Sequence, residues 1–240
     1  MRLALLGSGE FEPWSADVDR WALDGPGDGR VIIAPTASAP EGDDSFAGWA
    51  TKGLRHYAEM GVAAEVLPLK TREDAQDPSV ADLIRDASVV YFSGGNPYYL
   101  ARTLDGTRFW RTLLEQLEQG AAYVGCSAGV ACLAEVTFDS AVEDIRSEEA
   151  YKPGLGFVRR AMFAPHWDHV EGWFPGGQAY IADRTPPEQT LIALDEDTAM
   201  IGDGSAWEVV GLGAIHVLRD GSWDRRSAGS AFDLELDLAR

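Results

Sequence analysis

The chain has 240 residues, 45% hydrophobic and 10% aromatic, which excludes a disordered polymer and is enough for one sizeable core. Twenty basic residues against thirty-nine acidic ones give a net charge of −19, which repels phosphate backbones and anionic lipid, so neither nucleic acid nor a membrane is expected as a partner. No apolar run reaches the length of a membrane span, the start is too poor in apolar residues for a signal peptide, and Cys126 and Cys132 are too few for a disulfide framework or a zinc pattern; a cytoplasmic protein is expected.

Arg2–Leu6 reads as a strand running into Gly7-Ser8-Gly9, and Val31–Ala34 as a second, stopped by Pro35. Ser45–Met60 carries Phe46, Trp49, Ala50, Leu54, Tyr57 and Met60 at helical spacing and ends at Gly61. A third strand is expected at Glu65–Leu69, a short helix at Ser79–Arg85 and a fourth strand at Ser88–Phe92, which leads into Ser93-Gly94-Gly95-Asn96. Pro97 starts another helix, Thr107–Gln119 is a further one, and Ala121–Gly125 is a fifth strand. Beyond residue 138 the pattern loosens. Phe138–Pro153 reads as a polar loop and Gly172–Gln178 as a flexible one. Met162–Ala164, Thr190–Leu194, Ala206–Val210 and Ala214–Arg219 look like strands, with a hairpin turn at Asp220-Gly221. Continuous apolar strands joined by helices predict an α/β fold: one domain over residues 1–240, a doubly wound and mostly parallel sheet with helices on both faces.

The sharpest motif is Gly125-Cys126-Ser127-Ala128-Gly129, a G-x-S-x-G turn between an apolar strand and the short helical stretch Val130–Ala134. Such a turn holds its central residue in a strained conformation at the carboxyl edge of the sheet, where ligands bind. That makes Ser127 the candidate nucleophile and Cys126 a small buried neighbour. A serine nucleophile needs a base and an oxyanion hole. His166 follows a strand that ends in Pro165, so it stands in a loop at a sheet edge and is the candidate base. His169 is a neighbour or a surface residue, and His166-x-x-His169 has no third ligand at a telling spacing, so no metal is expected. His216 sits inside a strand and reads as a hydrogen-bonded strand residue; it is the base only if the chain runs Ser-acid-His, as in an ordinary α/β-hydrolase esterase. The orienting acid comes from Asp195-Glu196-Asp197, at another strand end. The amides of Gly95, in the second glycine-rich turn, and of Ala128 are the candidate oxyanion donors. Gly7-Ser8-Gly9 lacks the third glycine of a dinucleotide motif, where Glu12 stands instead.

Taken together, Gly94-Gly95-Asn96, the turn Gly125–Gly129, Pro165-His166 and Asp195-Glu196-Asp197-Thr198-Ala199 resemble the dipeptidase E and cyanophycinase family. The resemblance implies a fold like that of class I glutamine amidotransferases, a serine peptidase and a Ser-His-Glu triad at Ser127, His166 and Glu196. It also implies Asn96 as a substrate-binding residue and no cofactor. The substrate it implies is a small aspartyl peptide. The glycine turn is like the dipeptidase branch, which cleaves Asp-Xaa peptides. The Asp-Glu-Asp-Thr-Ala run is like the cyanophycinase branch, which acts on a β-aspartyl-arginine polymer. An aspartate side chain calls for an arginine in the pocket, and Arg146, Arg159 and Arg160 are the candidates. A homodimer is compatible with this reading, and so is a non-catalytic relative that binds a small molecule in the same crevice.

Overall fold

A computed structural model describes residues 1–239. Its strands, in chain order, are β1 (Arg2–Leu6), β2 (Val31–Ala34), β3 (Ala64–Val66), β4 (Val89–Phe92), β5 (Ala122–Cys126), β6 (Val136–Phe138), β7 (Tyr151–Pro153) and β8 (Val158–Arg159). They continue with β9 (Ala161–Ala164), β10 (Thr190–Leu194), β11 (Thr198–Gly202), β12 (Ala206–Gly211), β13 (Ala214–Arg219), β14 (Ser222–Ser227), β15 (Ala231–Asp233) and β16 (Asp237–Leu238). The helices are α1 (Ala16–Leu23), α2 (Asp43–Glu59), α3 (Arg72–Gln76), α4 (Pro78–Asp82), α5 (Pro97–Leu104), α6 (Arg108–Glu118), α7 (Ala128–Ala131), α8 (Trp167–Trp173) and α9 (Gly177–Arg184).

The apolar strands behave as two-faced elements. In β1, Ala4 and Leu6 join Val18 and Ala22 of α1 and Tyr57 of α2 on one side. Leu3 and Leu5 join Leu100 of α5 and Phe109 and Leu113 of α6 on the other. The main sheet has eight strands in the order β15-β12-β11-β1-β5-β4-β2-β3. From β1 to β3 the pairings are parallel, and β11, β12 and β15 extend the sheet with antiparallel ones. This is the expected architecture, a mostly parallel sheet between helices.

The loosely patterned second half builds something the sequence reading did not assemble. β14-β13-β10-β9 form a second sheet of four strands. Its inner residues, among them Phe163, Ile192, Leu194, Ile215 and Val217, belong to the same core cluster as Leu3 and Leu5. Its outer residues Met162, Ala164, Leu191 and Ala193 are covered by Trp167 and Val170 of α8, with Ile181 and Ala182 of α9 packed alongside. Helices α1, α3, α8 and α9 and strand β11 are among the additions to the sequence reading. Each of these helices has five to eight residues, too short for a 3.6-residue period to stand out. The stretch read as a polar loop from Phe138 to Pro153 begins and ends in strands, because β6 and β7 pair with each other.

Candidate active site

Strands β4 and β5 are parallel neighbours with Phe92 opposite Gly125, so the chain leaves both at the same edge of the sheet. Between β5 and α7 there is one residue, Ser127, at φ 50° and ψ −101°. That conformation is unfavourable for a residue with a Cβ and is held from two sides. The Ser127 amide donates to the Leu6 carbonyl at 3.0 Å, and its own carbonyl accepts from the amides of Val130 and Ala131 at 3.0 Å. A Cβ on Gly125 would lie 2.4 Å from the Gly129 carbonyl oxygen, which explains why the turn is pinched by glycines.

Strands β9 and β10 are likewise parallel neighbours, in the second sheet. His166 follows β9 in the left-handed region, at φ 56° and ψ 32°, and caps α8. Glu196 lies in the turn between β10 and β11. The Glu196 carboxylate is 2.6 Å from His166 Nδ1, and Ser127 Oγ is 2.8 Å from His166 Nε2. With Nδ1–H donated to the carboxylate, the Nε2 lone pair is left to accept the serine hydroxyl. Hydroxyl, imidazole and carboxylate therefore form one chain of hydrogen bonds across the junction of the two sheets. The Glu196 amide donates to Asp168 Oδ1 at 2.8 Å, which ties the turn to the first turn of α8. The half-exposed Trp173 sets its ring 5.3 Å from that of His166.

The other candidates separate cleanly. His216 Nε2 meets Asp195 Oδ1 at 3.0 Å, and Asp195 Oδ2 accepts the Ala214 amide, so this pair is internal to the second sheet and away from Ser127. His169 Nδ1 stands 3.3 Å from Glu196 Oε2 and 3.4 Å from Asp168 Oδ1, on the outer side of the carboxylate. Arg159 and Arg160 lie just before β9, at the end opposite to His166, and Arg160 pairs with Asp237 at 3.0 Å. They line a cleft with Thr190 and Arg219 and are not pocket residues for Ser127, which corrects the sequence reading. Arg146 donates to the Pro175 carbonyl at 2.5 Å, in the loop that follows Trp173.

The glycine turn after β4 lies beside the serine: a Cβ on Gly94 would be 3.7 Å from Ser127 Cβ. Gly95 has φ 138°, and a Cβ there would sit 2.4 Å from the Ala37 carbonyl, so only glycine fits. Among the described residues neither the Gly95 amide nor the Ala128 amide has a protein acceptor. The Asn96 side chain is committed within the protein. Its oxygen accepts the Tyr99 amide at 3.0 Å, capping α5, and its nitrogen donates to Asp139 at 2.6 Å. The geometry thus gives Asn96 the job of holding the turn.

One residue the sequence reading left unassigned is central to this edge. Glu10, in the loop after β1, is 4% exposed. Its Oε1 accepts the Gly94 amide at 2.8 Å, and its Oε2 accepts the Cys126 thiol at 2.9 Å. Burial, together with the neighbouring Glu10 carboxylate, pushes the Cys126 thiol well above its ordinary range, so it stays a protonated donor. No local sequence signal marks Glu10, because its partners are 84 and 116 residues away.

Comparison with known proteins gives a consistent picture. The model of Peptidase family S51 matches residues 3–210. Cyanophycinases from Trichormus variabilis and from a Nostoc species are each 24% identical to the chain over 171 residues, 69% of its length and 56% of theirs. The chain thus spans little more than half the length of these curated relatives. The crystal structure of a peptidase from an acI-B1 Actinobacterium superposes with a TM-score of 0.87 at 29% identity, covering 97% of this chain and 96% of that one. A structure assigned to Peptidase E from Listeria monocytogenes shares the fold, with a TM-score of 0.63 at 18% identity over 88% of this chain and 98% of its own.

Proposed function

The chain belongs to peptidase family S51, and from that premise we propose that it is a serine peptidase whose nucleophile is Ser127, whose general base is His166 and whose orienting acid is Glu196. The observation that carries this reading is the 2.8 Å contact between Ser127 Oγ and His166 Nε2, on an imidazole whose other nitrogen is held at 2.6 Å by a carboxylate.

In this mechanism Ser127 Oγ attacks the scissile carbonyl and its proton passes to His166 Nε2. Glu196 keeps the imidazole in the tautomer that can accept that proton, and it stabilises the imidazolium that results. The tetrahedral oxyanion lies between the Gly95 and Ala128 amides, which have no other acceptor among the described residues. One well-placed donor of this kind lowers the barrier by about 3–4 kcal/mol. His166 then hands its proton to the leaving amine, and water repeats the sequence on the acyl-enzyme. His216 has no part in it, because Asp195 holds it within the second sheet.

The proposed substrate is a small aspartyl peptide of the Asp-Xaa kind. A second reading, a β-aspartyl-arginine polymer, is favoured by the likeness to two cyanophycinases and by the net charge of −19, which suits a cationic chain. A hydrolysis screen over Asp-Xaa dipeptides, β-aspartyl-arginine and simple esters decides between them. One peptide class should be cleaved by the wild type and by no Ser127→Ala sample. A wild type that cleaves none of these, yet binds an aspartyl peptide, would be the non-catalytic relative instead.

A further inference from the structure

The buried carboxylate of Glu10 is not part of the hydrogen-bond chain from Ser127 to Glu196, yet it touches both segments that supply the proposed oxyanion donors. Oε1 receives the amide of Gly94, the residue before Gly95. Oε2 receives the thiol of Cys126, two residues before Ala128. Among the described residues no other side chain hydrogen-bonds to both the turn after β4 and the end of β5, and Glu10 comes to them from a third strand end, that of β1. A Cβ on Gly94 would lie 3.2 Å from Glu10 Oε1 and 3.7 Å from Ser127 Cβ, so the carboxylate sits close behind the reacting edge.

Burying an acid is costly, and an apolar side chain of the same size would fill this space without that cost. What an apolar side chain lacks is the two acceptors. We propose that Glu10 is the positioning residue of the oxyanion hole: by holding the Gly94 amide on one oxygen and the Cys126 thiol on the other, it fixes the Gly95 and Ala128 amides relative to each other and to Ser127. The inference rests on the reading of Ser127 as nucleophile. Glu10 itself touches no reacting atom. With the Gly94 amide turned inward to Glu10, the next amide along the turn is the one left free for a substrate oxygen. The thiol link explains why position 126 carries a small, buried donor, a role for which its raised pKa suits it.

The test compares wild type with Glu10→Leu, which keeps bulk but removes both acceptors, and Glu10→Gln, which keeps an acceptor for the Gly94 amide. Two quantities are read: kcat and KM on the best peptide substrate, and the second-order rate at which a fluorophosphonate labels Ser127, since its phosphoryl oxygen enters the same hole. Glu10→Leu should lose about 100-fold in kcat and in labelling rate with KM nearly unchanged, because misplaced donors weaken the transition state and spare ground-state binding. Glu10→Gln should recover most of that loss. Equal kcat and labelling in Glu10→Leu and wild type, or a loss confined to KM, would overturn the assignment. Should Glu10→Leu fail to fold, Cys126→Ala removes one of the two ties alone; it is expected to lower kcat at constant KM, and an unchanged kcat would overturn the assignment as well. Wild type that resists the probe would instead defeat the nucleophile reading beneath it.

Discussion

Two histidine–acid pairs stand within one loop of each other, and the direction of single side chains gives them different work. Asp195 and Glu196 are consecutive, so they turn to opposite sides: the first reaches His216 inside the second sheet, the second reaches His166 at the edge. His166→Ala should therefore lose at least about 100-fold in kcat, the typical contribution of a positioned general base. His216→Ala should keep kcat within about threefold and lose about 1–3 kcal/mol of stability, since the nearly buried Asp195 gives up a partner. Steady-state kinetics with a urea titration on both variants checks this, and the reverse pattern would favour the esterase order. At this scale Ser127 and His166 were legible, because glycines and a proline mark the strand ends they follow. Whether Asp195 or Glu196 faced His166 was not legible from the strand itself and rested on likeness to a family. Glu10 was invisible, since a buried acid is known only by partners that the fold brings from afar.

At the scale of elements, the site is a meeting of strand ends. Strands β1, β4 and β5 of the main sheet deliver Glu10, the Gly94-Gly95 turn and Ser127, while β9 and β10 of the second sheet deliver His166 and Glu196. The turn after β4 is clamped on every side. Its Gly94 amide goes to Glu10, Gly95 lies against Ala37, and the Asn96 amide donates to the Ala37 carbonyl at 2.8 Å. Gly95→Ala combines a backbone conformation of φ 138° with a contact of 2.4 Å to backbone. It should destabilise the fold by about 1–3 kcal/mol and lower kcat more than KM, read by thermal unfolding and peptide hydrolysis. An alanine variant with wild-type kcat would mean that the turn is not part of the site. The first five strands and the long helices α2 and α6 could be read from runs and periods. The second sheet could not be assembled that way: its strands were visible, but nothing in their composition tells which sheet a strand joins. Helices α8 and α9 were missed because each has only two turns, with Gly172 inside the first and Gly177 opening the second.

At the scale of the whole molecule, a net charge of −19 is spread over a chain whose ion pairs are mostly exposed. Like-charge repulsion opposes the compact state and is screened within about 10 Å at 0.1 M salt. The thermal midpoint should thus rise when sodium chloride is raised from a few millimolar to about 0.5 M, a range over which the screening length falls severalfold. A midpoint that falls would show that attractive pairs outweigh the repulsion. Composition made this charge plain, and with it the expectation that polyanions are repelled. What composition does not carry is that the site bridges two sheets, so that the distance from Ser127 to His166 depends on how those sheets pack through the shared core of Leu3, Leu5, Ile192 and Ile215. The account turns on the reactivity of one hydroxyl. Intact-protein mass spectrometry after treatment with a fluorophosphonate tests it most directly, on wild type, Ser127→Ala and His166→Ala. One adduct on Ser127 in the wild type, none in Ser127→Ala and a strongly slowed reaction in His166→Ala is the predicted result; an unlabelled wild type, or a label that survives the loss of Ser127, would contradict it.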